Sequence, residues 1–136
     1  MESAHFFCVL LVDDDDTSIF LSDLLLVRSR IADHTHSALN GEDALLYLRS
    51  QLTRQAAPDA HKPNLILLDI NMPIMDGFEF LEAWSQLDFS GKDQVKIVML
   101  TSSSNPRDLD AARHYGVHGF LNKPLTREKI MDLKIS

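Results

Sequence analysis

Three aspartates, one threonine and one lysine stand where apolar runs end. Val9-Leu10-Leu11-Val12 leads into Asp13-Asp14-Asp15-Asp16, Leu65-Ile66-Leu67-Leu68 into Asp69, Ile97-Val98-Met99-Leu100 into Thr101-Ser102-Ser103, and Val117 to Asn122 into Lys123-Pro124. Carboxylates brought together repel one another unless a cation sits between them or their protonation equilibria separate. Magnesium, a hard cation, takes oxygen ligands, keeps several waters, and is usually held by one or two carboxylates together with phosphate oxygens. A carboxylate can also be the nucleophile, dividing one difficult transfer into two easier ones through an aspartyl phosphate. The phosphoryl group in transit spreads negative charge over its oxygens, which positioned cations, hydroxyls and backbone N–H groups stabilise. Lys123 and Thr101 are candidates for that task, and Pro124 would fix the chain direction directly after the lysine. These residue types point to magnesium-assisted phosphoryl chemistry, although Asp13 to Asp16 by themselves would fit a solvated turn equally well.

For these groups to meet, the apolar runs must be neighbouring parallel strands, because sites in open α/β sheets form outside the carboxyl ends of the strands. The chain has the required alternation of short apolar runs and helix-period segments. Strands are expected at 6–12, 32–38, 64–70, 95–100 and 117–122, the second being the weakest in apolar signal and the third, apolar throughout, central. The first helix is expected over 17–28 with Asp16 as cap and Ile19, Phe20, Leu24 and Val27 facing inward. The second should run from its Asn40 cap to about Leu52, with Ala44, Leu45, Leu48 and Leu52 inside. The third should cover 78–87. The fourth should start at Asn105-Pro106 and stop near Tyr115-Gly116, where glycine supplies the left-handed turn. A short last helix should span 127–134 behind a Thr126 cap. Residues 53–63 read as a surface insertion.

The 136 residues fit one domain with a proper core. Net charge is −7, which argues against nucleic acid or an anionic membrane as a direct partner. Cys8 is the single cysteine; inside an apolar run it reads as a buried thiol, compatible with a reducing cytoplasm. No apolar stretch approaches the roughly 20 residues needed to span a bilayer, so a cytoplasmic location is expected. His34, His36, His114 and His118 lack partners at metal-ligand spacing. Met72, Met75, Met99 and Trp84 read as packing residues.

Taken together, Val12-Asp13-Asp14, Leu68-Asp69-Ile70-Asn71-Met72-Pro73-Ile74-Met75-Asp76-Gly77, Leu100-Thr101-Ser102 and Leu121-Asn122-Lys123-Pro124 resemble the receiver domain of two-component response regulators, from about Cys8 to Leu133. The resemblance implies a doubly wound, flavodoxin-like α/β fold: a five-stranded parallel sheet in the order 2-1-3-4-5 with helices on both faces. It implies that Asp69 accepts a phosphoryl group from the phosphohistidine of a sensor histidine kinase or a histidine phosphotransfer protein. Mg2+ (or Mn2+) would be held by Asp13, Asp14, Asp69 and the backbone carbonyl of Asn71. Thr101 would be the switch hydroxyl, Lys123 the phosphate partner, Pro124 a cis-proline and Phe120 the switch aromatic. Phe120 has no hydroxyl, so its rotation would rest on packing. Ser102 would leave a donor room to approach, while Asn71 and Ser103 occupy positions that tune phosphoryl lifetime. The expectation is one receiver domain over 1–136 without an output domain, monomeric or weakly dimeric, acting on a downstream protein target and catalysing only its own phosphorylation and dephosphorylation.

A second reading, as a haloacid dehalogenase-like phosphohydrolase, would make Asp13 the nucleophile and Asp15 the acid/base. It leaves Asp69 to Pro73 without a role and finds only Glu128 and Asp132 after the lysine, on a helix. Singly, each site residue has a plainer explanation. Asp13 or Asp14 could cap a helix, Thr101 could bond its own loop and Lys123 could be a solvated charge. Their shared order and shared place at strand ends favour the site.

Overall fold

The computed structural model describes residues 5–52, 62–88 and 91–135. Five strands alternate with five helices: β1 (Phe6–Val12), α1 (Asp16–Arg28), β2 (Ala32–Ala38), α2 (Gly41–Leu52), β3 (Leu65–Leu68), α3 (Gly77–Ser85), β4 (Lys96–Thr101), α4 (Pro106–His114), β5 (Gly119–Asn122) and α5 (Arg127–Asp132). A 3-10 turn over Lys92–Gln94 precedes β4. Every strand pair is parallel and the sheet order is β2-β1-β3-β4-β5, the flavodoxin-like arrangement expected.

Side chains alternate across each strand, so β1 supplies both faces of the sheet. Leu10 and Val12 pack with Ala44, Leu45 and Leu48 of α2, Phe80, Leu81 and Trp84 of α3, and Ala112 of α4. Val9 and Leu11 pack on the other face with Leu26 of α1 and Ile130 of α5. β3, buried at every position, is covered on both faces, which explains its unbroken apolar run. The edge strand β2 is half exposed. There His34 meets the Phe7 ring edge-on and His36 stacks on Tyr47 with ring centroids 3.8 Å apart. Cys8 is fully buried; burial raises its pKa, partly offset by a hydrogen bond with Tyr47.

Several local expectations change. Asp15, not Asp16, caps α1, accepting from the Thr17 N–H at 3.0 Å. Ile19 packs inward as expected, but the buried residues of α1 are Ser22 and Leu26, whereas Phe20 and Val27 are 62% and 48% exposed. The segment Leu24-Leu25-Leu26-Val27 is apolar on every side of the helix, so its periodicity does not single out a face. A contrast follows: Leu26→Ala should cost about 2–5 kcal/mol, while Phe20→Glu should stay within about 0.5 kcal/mol of wild type in urea unfolding. A costly Phe20→Glu would return Phe20 to the core.

β3 and β5 are shorter than expected, pairing over Leu65–Leu68 and Gly119–Asn122, and α5 closes at Asp132. α3 starts one residue earlier and ends two earlier than its pattern implies, behind a capping box. Asp76 accepts from the Glu79 N–H and Glu79 from the Asp76 N–H, a Asp-x-x-Glu signature visible in the sequence. At the other end of α3, Lys92 Nζ donates to the carbonyls of Trp84 and Leu87 and lies 5.4 Å from the centre of the indole ring. The Asn40, Asn105 and Thr126 caps are as expected, and Gly116 has the left-handed φ of 74°. Of the expected insertion, residues 53–61 lie outside the described residues.

Candidate phosphoryl-transfer site

Register alone brings the acids together. Val12 pairs with Leu68, so the next residues, Asp13 and Asp69, leave adjacent strands side by side, with the Asp69 N–H donating to the Val12 carbonyl at 2.9 Å. Asp13 and Asp69 are 6% and 7% exposed, and Asp14 beside them is exposed. Each of the three offers a carboxylate oxygen within 4.8 Å of the others. One further pair extends the arrangement: Thr101 is opposite Asn122 in the β4–β5 ladder, and the Lys123 N–H donates to the Thr101 carbonyl at 2.9 Å. Strand pairing thus delivers acids, hydroxyl and ammonium to one edge of the sheet.

Lys123 Nζ reaches Asp13 Oδ2 at 2.7 Å and Asp69 Oδ2 at 2.9 Å. Burial alone would lower the lysine pKa, but hydrogen bonds to Asp13 and Asp69 and the charges of both outweigh it and leave it raised. The other oxygens are also engaged: Asp13 Oδ1 accepts from the Asp15 N–H at 2.9 Å and Asp69 Oδ1 from the Ile70 N–H at 2.7 Å. Thr101 is fully buried, and its Oγ1 accepts from the Ser103 N–H at 3.2 Å. The Lys123–Pro124 peptide is cis. Phe120 is half-buried against the α2–α4 side of the core, Ser102 is exposed, Ser103 is half-buried and Asn71 is exposed on the loop after β3.

Three carboxylates face one ammonium, so the cluster retains excess negative charge and an all-oxygen donor set. That is the composition a hard divalent cation takes. Asp15, the acid of the phosphohydrolase reading, is instead the α1 cap, and Glu128 and Asp132 lie exposed on α5. Not expected from the sequence is how close α3 comes to Asp69. The Gly77 N–H donates to the Ile70 carbonyl at 2.8 Å, and a Cβ on Gly77 would stand 2.3 Å from the Asp69 carbonyl oxygen. The Asp-Gly pair was the available signal.

Ile74, in the same loop, has φ 67° and is 75% exposed. A β-branched side chain in the left-handed region costs on the order of 1–2 kcal/mol. Ile74→Asn should therefore raise the stability by up to about 1 kcal/mol in chemical unfolding; a loss would show that Ile74 makes a compensating contact.

Residues 9–134 match the family model described as the response regulator receiver domain. The chain belongs to this family. It is 32% identical over 123 residues to the two-component response regulator ORR41 of Oryza sativa subsp. japonica, covering 90% of this chain and 87% of that one. It is 30% identical over 129 residues to the transcriptional regulatory protein AfsQ1 of Streptomyces coelicolor; this covers 93% of the chain but spans only about half, 48%, of that relative. Among solved structures, a two component response regulator from Cytophaga hutchinsonii superposes with a TM-score of 0.82 at 28% identity, covering 95% of this receiver and 94% of the other. The Mn(2+)-bound form of response regulator Rcp1 superposes with a TM-score of 0.70 at 28% identity, covering 93% and 88%. Receiver domains are signalling domains, and the phosphohydrolase reading is set aside with this assignment. Among the described residues, no helix of this receiver is long and apolar enough to cross a membrane.

Proposed function

We propose that this receiver takes a phosphoryl group onto Asp69 from the phosphohistidine of a sensor histidine kinase or phosphotransfer protein and changes its surface for a downstream protein. The observation that carries this reading is Lys123 Nζ bridging Asp13 and Asp69 inside a three-carboxylate cluster. Asp13, Asp14, Asp69 and the Asn71 carbonyl would hold Mg2+, a role supported by the donor set and by the Mn(2+)-bound Rcp1 relative. When bound, the cation neutralises charge that the carboxylates and the phosphoryl oxygens would otherwise set against each other.

In the transfer, an Asp69 carboxylate oxygen attacks phosphorus as the donor's P–N bond breaks. The bonding electron pair returns to the imidazole nitrogen. The other Asp69 oxygen stays anchored by the Ile70 N–H, and Lys123 is free to follow negative charge from the carboxylate to the phosphoryl oxygens. Thr101 supplies the neutral donor from the neighbouring strand. Phe120, opposite Met99 in the β4–β5 ladder and packed against the core, would carry the change toward the α4–β5–α5 surface. We assign the protein to the cytoplasm and expect a monomer or weak dimer in solution.

Incubation with acetyl phosphate and MgCl2 followed by intact mass measurement tests the reading. One added phosphoryl group is expected on wild type and none on Asp69→Asn; labelling of that variant would move the acceptor elsewhere. Asn71, a polar amide close to the acceptor, can help orient an attacking water, so a short phosphoryl lifetime is expected. Asn71→Arg should slow dephosphorylation several-fold, and an unchanged rate would remove Asn71 from this role.

A further inference from the structure

The neutral donor Thr101 ends β4 and the cationic donor Lys123 follows β5, and the side chain of Asn122, at the end of β5, ties that strand to the loop at 102–105. Asn122 Nδ2 donates to the Ser103 carbonyl at 2.7 Å. Ser103 is in turn the residue whose N–H reaches Thr101 Oγ1 at 3.2 Å. Its hydroxyl donates to the Asp108 carboxylate and accepts from the Asn105 N–H at 3.2 Å. From the α5 side, Lys129 Nζ donates to the carbonyls of Asn122 at 2.8 Å and Pro124 at 2.9 Å, so the backbone carrying the amide is itself anchored.

We infer that Asn122 is a positioning residue for Thr101: by holding the Ser103 carbonyl it keeps the Ser103 N–H on Thr101 Oγ1 and so fixes the arc through which the hydroxyl proton can swing. A hydroxyl has one proton and two lone pairs. With one lone pair committed to Ser103, the orientations left to its proton are few, and a donor already in place when charge develops needs no reorganisation. Asn122 is exposed, and its amide contacts the loop rather than an acid, so the effect runs through Ser103. The inference rests on the proposed role of Asp69 as acceptor.

Asn122→Leu keeps the size and removes the donor. With acetyl phosphate and saturating MgCl2, its labelling of Asp69 should be about fivefold slower than wild type, the scale of one hydrogen bond, with magnesium affinity unchanged. In a Thr101→Ala background the same substitution should produce no further slowing. The Ser103 amide of the unphosphorylated protein should exchange with solvent about fivefold faster in Asn122→Leu. Wild-type kinetics in Asn122→Leu, equal slowing in both backgrounds, or unchanged Ser103 exchange would each overturn the inference. If wild type itself takes no label, the acceptor reading falls and this one with it; if wild type labels and Asn122→Leu matches it, only the positioning role is lost.

Discussion

Lys123→Ala is expected to slow labelling of Asp69 by acetyl phosphate about 10²-fold at neutral pH, the scale of removing one charged donor from a developing oxyanion. The lysine touches both buried acids, at 2.7 Å and 2.9 Å, so two effects act together. The phosphoryl oxygens lose a partner, and Asp13 and Asp69 lose the cation that offsets their mutual repulsion. Saturating magnesium should relieve the second effect and leave the first, which separates them in rate measurements across a magnesium titration. Full recovery at high magnesium would mean that Lys123 serves only to neutralise the acids. Without added metal, the raised lysine pKa gives a second signature. A group whose folded pKa exceeds its unfolded value stabilises fully below the unfolded value, 10.5 for this lysine, and that contribution is lost as pH rises through the raised value. Unfolding scans above pH 10.5 should therefore show a decline in wild type that is smaller in Lys123→Ala.

Gly77→Ala is expected to destabilise the fold by about 3 kcal/mol, lowering the melting temperature by roughly 10 °C. The added methyl would lie 2.3 Å from the Asp69 carbonyl oxygen and 3.0 Å from Ile70 Cα, and these are backbone atoms that cannot rotate aside. Relief requires the start of α3 to move away from Asp69, so acetyl phosphate labelling should fall as well. Gly116→Ala provides the comparison. Its φ is 74° but, beyond its own chain neighbours, no atom of the described residues lies within 4 Å of the added carbon, so only the left-handed cost of about 1 kcal/mol applies. Thermal unfolding followed by circular dichroism would distinguish the two, and equal losses would refute the close approach at Gly77.

The gathering of the candidate site residues was legible because each sits immediately beyond an apolar run, and parallel strands place such positions on one edge. Asp13, Asp69, Thr101 and Lys123 could be placed from local pattern, and β1 and β2 took their expected limits, Phe6–Val12 and Ala32–Ala38. What was not legible depends on contacts between distant residues. Nothing local shows that Lys92 reaches back to the end of α3, that Tyr47 lies between Cys8 and His36, or that Asn122 holds Ser103. The inward face of α1 was misread for a different reason. Its apolar residues exceed what one face can bury, and packing against β1 and β2 chose Leu26 and Ser22 with Ile19 beside them, leaving Phe20 and Leu21 outside. The early end of β3 and the late start of β5 reflect the extent of ladder pairing rather than the extent of the apolar runs.

The placement of Trp84 has an optical consequence. It is the chain's one tryptophan, 8% exposed, with its ring 6.1 Å from that of Phe80 and an ammonium group over its face. Seven helical steps, on the order of 10 Å, separate it from Gly77 beside Asp69. Its emission should therefore follow the packing of α3 and the Lys92 clasp, and shift when the chain unfolds. The chromophore that nature supplied is a gauge of the molecule's integrity, mounted at the far end from the chemistry.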